Sequence, residues 1–307
     1  MRAWTVNPRD LRLARGTYDP KLALPYVPLS DGVGEVVETG SGVTRAAVGD
    51  RVAPTFSPTW LAGSPDWNAV RRTRGGAVPG VLAEEIVLSE DEVVRVPSHL
   101  TDVEAACLPC TGVTAWSAVV TAGEIQPGGT VLVLGAGGVA VSALQIARMA
   151  GARVVAVTSD ERKAARLHEL GAEHVIVRSV DPRWGQLVRR WAGLGVDVVV
   201  ETGGAATLGE SLEAVRIGGT VAVIGVAAGA RASVDVLPIL MRQIRCQGVF
   251  VGPRIAFEEL VRAYALHGLR PPVDHVVPFS DAPKAILALD RAEHVGKIGI
   301  SAVVEGG

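Results

Sequence analysis

From Val131 onward the apolar positions switch repeatedly between two periods. Val131-Leu132-Val133-Leu134 is an unbroken apolar run, the mark of a strand buried on both faces. Directly after it, Val139, Ala143, Ile146, Ala147 and Ala150 recur at the spacing of one helix face. The alternation continues. It predicts strands over 153–157, 174–177, 196–200, 220–224 and 245–251, with helices over 160–170, around 183–191 and over 208–215. Gly171 closes the first of these helices, and double glycines at 203–204 and 218–219 punctuate the later units. Six strands in two halves, alternating with helices, predict an α/β fold with a doubly wound parallel sheet.

The first hundred residues follow another rhythm. Residues 32–42 read as a strand running into a glycine turn, and 48–52 as a turn into a second strand. Further strands are expected over 83–88 and 92–96. Helical periodicity is poor until Thr101, after which 102–106 looks helical. This segment predicts a β-rich domain, a small barrel. Beyond Gly252, Phe257, Leu260, Val261, Tyr264 and Ala265 share a helix face. A second helix begins near Ser280-Asp281 and carries Ala285, Ile286 and Leu289, and a last strand is expected over 297–303. The tail is expected to rejoin the barrel, giving one domain from 1–111 and 253–307 and an inserted one over 112–252.

Composition narrows the classes. A chain of 307 residues with 48% hydrophobic content can build real cores. Its formal net charge of −2 creates no field that would gather nucleic acid or an anionic membrane. Arg71, Arg72 and Arg74 form the densest basic cluster and read as a solvated loop. Residues 1–8 contain no apolar signal core, and the apolar run over 131–147 is short for a membrane span and broken by glycines, Ser142 and Gln145. A cytoplasmic location is the expectation. Cys107, Cys110 and Cys246 cannot form a disulfide framework, and Cys107-x-x-Cys110 is expected to be structural.

The candidate chemistry begins at Gly135-x-Gly137-x-x-Ala140, which lies between a predicted strand and a predicted helix. Gly135 permits a tight turn, Gly137 lets backbone approach a pyrophosphate, and small Ala140 permits close packing. Gly138 and Val139 open a helix whose free N–H groups face the phosphates. This is the Rossmann dinucleotide signature. The second strand ends at Thr158 rather than at an acidic residue. Asp160 stands about 20 residues past the glycines, where a simple count would select NAD, but it also starts the next helix and suits a cap. Ser159, Arg162 and Lys163 would serve a 2′-phosphate, so NADP(H) is the expected cofactor over NAD(H).

Several segments resemble the medium-chain dehydrogenase/reductase superfamily, within its zinc-independent, quinone-oxidoreductase-like branch. They are Asn7-x-x-Asp10 followed by Gly16-x-Tyr18; residues 28–36; Val48-Gly49-Asp50-Arg51-Val52; residues 105–116; and Gly296-Lys297. The resemblance spans nearly the whole chain and implies a GroES-like barrel carrying the Rossmann unit, with the barrel shortened ahead of Asn7. Where zinc-dependent relatives hold catalytic zinc, this chain has Asn7, Ser30-Asp31 and Cys110, so no metal is expected. Asn7 and Tyr18 are implied as hydrogen-bond donors beside the substrate. Asp31 is either a base or a structural carboxylate. Thr114 is implied beside the nicotinamide, and strand ends at Thr202, Gly203, Gly225, Val226, Val251 and Gly252, together with Lys297, as further cofactor contacts. Trp60 and Trp67 lie in a loop that could line the pocket.

The expected activity is NADPH-dependent, metal-independent hydride transfer to a quinone or α,β-unsaturated carbonyl. An alcohol dehydrogenase-like oxidoreductase is the alternative, and a non-catalytic NADPH-binding protein a third. The partners expected are a small-molecule substrate and a second copy of the chain. Such a homodimer would form through the edge of the nucleotide sheet near 247–251.

Overall fold

The computed structural model describes residues 1–302. Contacts divide the chain into two units, Met1–Val113 joined by the chain from Val251 onward, and Thr114–Phe250.

The first unit begins with strand β1 (Ala3–Thr5), which runs straight into Asn7 and helix α1 (Pro8–Ala14). Asn7 at the cap, Pro8 in the first turn and Asp10 at the third position are a helix-start signal, so a helix stands where poor periodicity suggested none. Strands β2 (Asp31–Glu35), β3 (Arg51–Pro54) and β4 (Val93–Arg95) follow, with helix α2 (Trp67–Arg71) between the last two. The strand expected over 83–88 does not form. Val87 is fully exposed there, so the alternating pattern had no face to bury. Of the arginine cluster, Arg71 and Arg72 are exposed at the end of α2, as a solvated segment should be, but Arg74 is not. Arg74 is buried, paired with Glu92 and donating to the Thr55 and Pro79 carbonyls, while Arg71 covers the Trp67 ring at 4.9 Å. Helix α3 (Asp102–Ala106) is capped by Thr101 and Glu104 and leads into a π-helical stretch, Leu108–Gly112.

The second unit carries helix α4 (Val113–Trp116) at its start and then a strand–helix alternation. Strand β5 (Thr130–Leu134) is followed by helix α5 (Gly138–Met149) and strand β6 (Arg153–Thr158). A short 3-10 turn, Glu161–Lys163, precedes helix α6 (Ala164–Glu169), so the helix expected over 160–170 is split. Strand β7 (His174–Val177), helix α7 (Trp184–Trp191), strand β8 (Val196–Glu201), helix α8 (Leu208–Ala214) and strand β9 (Val215–Val223) come next. Helix α9 (Leu237–Met241) and strand β10 (Arg245–Gly248) complete it. These six strands form one parallel sheet in the order β10-β9-β8-β5-β6-β7, the doubly wound arrangement. Its core joins Leu132, Val155, Val199 and Val221 to Trp184, Val188 and Leu212 from the helices. Strand β10 stops at Gly248, short of residue 251, because it is an edge strand with one neighbour and all four residues exposed.

The chain returns to the first unit with helix α10 (Arg254–His267), ended by Gly268 in the left-handed conformation. Strand β11 (Val273–Pro278), which no periodicity announced, helix α11 (Ala282–Ala288) and strand β12 (Lys297–Ser301) follow. The expectation of a strand to residue 303 ends outside the described residues. The sheet order is β11-β12-β1-β2-β3-β4. Strand β1 lies between β12 and β2, antiparallel to both, so residues near 7, 31 and 297 become neighbours. Trp4 fills the core beneath them, its ring 4.9 Å from Phe279 and packed with Leu29, Ile286 and Ile298.

Candidate functional site

In the second unit the carboxyl ends of the strands form a crevice. Gly135 follows β5 with φ of +83°, a left-handed backbone that favours glycine, and donates its N–H to the Val157 carbonyl at 2.7 Å. Gly137 caps α5 without a side-chain cap bond, and among the described residues no side chain bonds to the helix's first N–H groups, which stay available to an anion. A Cβ placed on Gly137 would meet no protein atom within 4 Å. That open cradle is where a pyrophosphate can lie against backbone. Gly138 and Val139 are the first two residues of α5.

The turn after β8 is tied to this one, since Thr202 Oγ1 donates to the Leu134 carbonyl at 2.9 Å. Glu201 anchors it from below. Fully buried and without a cationic partner among the described residues, its carboxylate accepts from Gly203 N at 2.7 Å, Gly204 N at 2.9 Å, Thr207 Oγ1 at 2.7 Å and Ser211 Oγ at 2.5 Å. Four donors replace a counter-charge, as burial of a carboxylate demands. Gly225 lies so near the Thr202 carbonyl that any side chain would collide with it, and Val226 beside it is exposed.

Between these turns opens a cavity of about 180 Å³ whose wall includes Gly135, Ser159, Arg178, Thr202 and Gly203. Its wall contains no carboxylate, and Arg178 is its only charged residue. Arg178 follows β7 and was not foreseen. Its signal was its place directly after a predicted strand end, the side where ligands lie in such sheets. Thr158 is buried at the end of β6, and its Oγ1 accepts from Asp160 N at 3.2 Å. Asp160 caps the short 3-10 turn through Arg162 N at 2.9 Å, and the Arg162 guanidinium grips the same carboxylate at 2.9 and 3.1 Å. That arginine holds the Asp160 carboxyl below its usual range. Arg162 is thus engaged with Asp160, and Lys163 stands at the end of the same turn; neither lines the cavity. A larger cavity of about 470 Å³ lies at the amino ends of the strands. Its charges pair with one another, Arg245 with Glu124 at 2.8 Å and Arg216 with Asp197 at 2.6 Å. It holds none of the predicted residues.

In the first unit a buried polar cluster gathers at Asn7. Its Oδ1 accepts from Lys297 Nζ at 2.5 Å and from Thr111 Oγ1 at 3.1 Å, and its Nδ2 donates to Asp31 Oδ2 at 3.0 Å. Asp31 also accepts from Ser30 Oγ at 3.0 Å and lies 3.5 Å from Lys297 Nζ. Lys297 completes its bonds on the Val6 carbonyl at 2.8 Å. Asn7, Asp31, Thr111 and Lys297 are all buried. Lys297, expected at the cofactor, therefore belongs to a network in this unit. Asp10 sits below it, accepting from Asn7 N at 2.7 Å. Burial pushes its carboxyl up to about 6, against the opposing pull of Arg9 and of that N–H.

The other predicted residues are dispersed. Tyr18 is 40% exposed, its ring flanked by the Arg9 and Arg12 guanidinium groups at 5.4 and 5.8 Å, and no described contact joins it to Asn7. Tyr26, overlooked earlier, is the phenol near Asp10, and burial followed by that carboxylate's charge raises its pKa. Thr114 is buried at the start of the second unit. Val251 and Gly252 fall in the first unit, Val251 with φ of 53°, unusual for a β-branched residue. Trp60 is buried and donates Nε1 to the Gly63 carbonyl, whereas Trp67 is exposed.

The cluster also tests whether zinc suits these residues. Zinc takes thiolate, imidazole and carboxylate ligands in their deprotonated forms. Asn7, Ser30, Asp31 and Cys110 offer a single thiol, and burial pushes it above its normal range. Cys107, three residues before it, is pushed up to about 12 for the same reason. An ammonium already faces the only carboxylate. Among the described residues no group of three or more His, Cys, Asp or Glu side chains is placed to hold a metal. The donor set does not fit zinc.

Comparison with known proteins adds the following. Residues 1–98 match the family described as alcohol dehydrogenase GroES-like domain, and residues 138–265 match zinc-binding dehydrogenase. The zinc-type alcohol dehydrogenase-like protein C1773.06c of Schizosaccharomyces pombe is 34% identical over 305 residues, spanning 97% of this chain and 88% of that protein. The crystal structure of an NAD-dependent alcohol dehydrogenase is similar with a TM-score of 0.88 and 31% identity, covering 98% of this chain and 90% of that one. The 2-octenoyl-CoA carboxylase reductase CinF, solved with NADP and 2-octenoyl-CoA, has a TM-score of 0.85 and 26% identity, covering 99% and 79%.

Proposed function

Because the chain belongs to the medium-chain dehydrogenase/reductase superfamily, we propose that it is an NADP(H)-dependent reductase of quinones or α,β-unsaturated carbonyl compounds, working without a catalytic metal. At the coarser level it is an alcohol dehydrogenase-like oxidoreductase. The observation that carries the finer reading is the Asn7–Asp31–Lys297–Thr111 cluster, a hydrogen-bonding network built around Asn7 and Asp31, two of the positions that the resemblance assigns to zinc ligands.

Bound NADPH would supply the hydride. Without a Lewis acid, the fitting acceptor is one whose conjugation spreads the developing negative charge, so that hydrogen bonds suffice to stabilise it. Asn7 Nδ2 supplies such a bond. Asp31 is surrounded by three donors and serves to orient Asn7 rather than to take a proton. The Tyr18 hydroxyl, which has no hydrogen-bond partner among the described residues, is the proposed proton donor. A Tyr18→Phe enzyme is expected to lose about 100-fold in kcat, and unchanged turnover removes Tyr18 from the mechanism.

Gly135, Gly137, Gly138 and Val139 would hold the pyrophosphate. Thr114, Thr202, Gly203, Gly225, Val226, Val251 and Gly252 are further proposed contacts. A preference for NADP(H) is supported by a cavity wall with Ser159 and Arg178 but no carboxylate, and by the engagement of Asp160 with its own turn. The likeness to CinF, a 2-octenoyl-CoA carboxylase reductase solved with NADP and 2-octenoyl-CoA, supports cofactor and acceptor class together. The likeness to an NAD-dependent alcohol dehydrogenase favours alcohol oxidation as the second reading.

A panel of quinones, enones, enoyl thioesters and alcohols, followed by NADPH absorbance, decides between them. Steady NADPH oxidation by conjugated acceptors is expected, and alcohol-dependent NADP⁺ reduction alone would favour the second reading. Tight cofactor binding with neither activity would leave a nucleotide-binding protein. A homodimer is also proposed, through the exposed edge of β10 and the outward Leu237, Leu240 and Met241 of α9. Light scattering at the monomer mass would refute it.

A further inference from the structure

An asparagine carboxamide has two orientations related by a flip, and only its neighbours decide between them. Here they decide without ambiguity. An ammonium donates only, so the atom 2.5 Å from Lys297 Nζ is the oxygen; a carboxylate accepts only, so the atom 3.0 Å from Asp31 Oδ2 is the nitrogen. Thr111 Oγ1 adds a second donor to the oxygen at 3.1 Å. Flipping the amide would set NH₂ against the ammonium and oxygen against the carboxylate, inverting both charged contacts at once.

The count of hydrogens then matters. Lys297 directs its three at the Val6 carbonyl, Asn7 Oδ1 and Asp31 Oδ2, leaving none for a ligand. Asn7 Nδ2 carries two. Asp31 takes one, and the other has no acceptor among the described residues. We propose that Lys297 and Thr111 are positioning residues that lock the Asn7 carboxamide in one orientation and release a single N–H for the substrate oxygen. The ammonium also draws electron density toward Oδ1 and makes that N–H a stronger donor. This rests on the proposed role of Asn7 as the donor to substrate, and it removes Lys297 from the cofactor contacts.

The test compares Thr111→Val, the charge-neutral pair Asp31→Asn with Lys297→Met, Asn7→Ala, and Thr111→Val in the Asn7→Ala background. Each is measured for steady-state kinetics and for NADPH binding by energy transfer from tryptophan. The neutral pair covers the case in which Lys297→Met alone fails to fold. Thr111→Val is expected to lower kcat about tenfold, and the neutral pair and Asn7→Ala about 100-fold each, the scale of losing one oxyanion donor. NADPH affinity should stay within about twofold, and Thr111→Val should cost nothing further once Asn7 is gone. A neutral pair that binds NADPH tenfold more weakly would return Lys297 to the cofactor and overturn the proposal. So would a Thr111→Val loss of equal size with and without Asn7.

The amide resonances of Asn7 supply a readout independent of turnover. One proton should be shifted and slow to exchange, the other free, with the distinction lost in the neutral pair. Were the wild-type chain to reduce no acceptor on the panel, the functional reading would fall while these resonances still judged the lock. Equivalent protons in the wild type would sink it.

Discussion

The two candidate sites are built from different materials. In the nucleotide unit the proposed binding groups are backbone: a left-handed Gly135, the open cradle over Gly137, the uncapped start of α5, and a turn anchored by Glu201. Side chains matter there chiefly by being absent. In the barrel unit the polar groups are side chains: Asn7, Asp31, Thr111 and Lys297 are all buried and bonded to one another, with one Asn7 N–H left over. A backbone site tolerates loss of a neighbour but not an added side chain. A side-chain network tolerates its surroundings but not the loss of one member, because each buried charge relies on the others.

That contrast can be broken from either side. Lys297→Met leaves Asp31 buried without its counter-ion and should destabilise the protein by about 3–5 kcal/mol, read by denaturant unfolding; a smaller cost would show the pair to be solvated. The pH dependence of stability is a second probe. Asp10 has its ordinary acidity in the unfolded chain and titrates at about 6 when folded. Its stabilising proton is therefore fully present below the unfolded value and lost as pH rises through 6. The loss amounts to about 3 kcal/mol between pH 4 and 7, and the difference should vanish in Asp10→Asn. On the backbone side, Gly137→Leu fills the cradle and should weaken NADPH by about 100-fold, about 2.7 kcal/mol, without lowering the melting temperature. Arg178→Gln should weaken NADPH about tenfold and leave NADH unchanged. Equal loss for both cofactors would move Arg178 away from the 2′-phosphate.

The nucleotide unit was readable because its logic is local. Strand, glycine turn and helix are consecutive, and the buried parallel strands advertise themselves as apolar runs with boundaries close to those observed. The barrel unit was less so. Its strands have three to six residues, too few for a period to declare itself, which is why β11 was missed and a strand was placed over 83–88. The Asn7 cluster joins positions 104 and 290 residues apart, and no spacing rule connects them. Resemblance named Asn7, Asp31 and Lys297, the last as a cofactor contact, and gave Thr111 no role. Helix α1 was a different omission: Asn, Pro and Asp at its first turn carried the signal, and attention to apolar periodicity passed over it. Arg178 carried only the weak signal of following a predicted strand end; the sheet order, which sets β7 beside β6, brings it to the cavity.

Strand β1 is held on one side by β12, which emerges from the ribosome almost 300 residues later. The stretch from Thr114 to Phe250 is continuous and closes its own sheet, so it can fold while synthesis is still under way. Asn7 waits for the carboxyl-terminal strand to dock. On the proposed roles, a nascent chain would carry its coenzyme before β12 pairs with β1, and would spend the hydride only after that pairing.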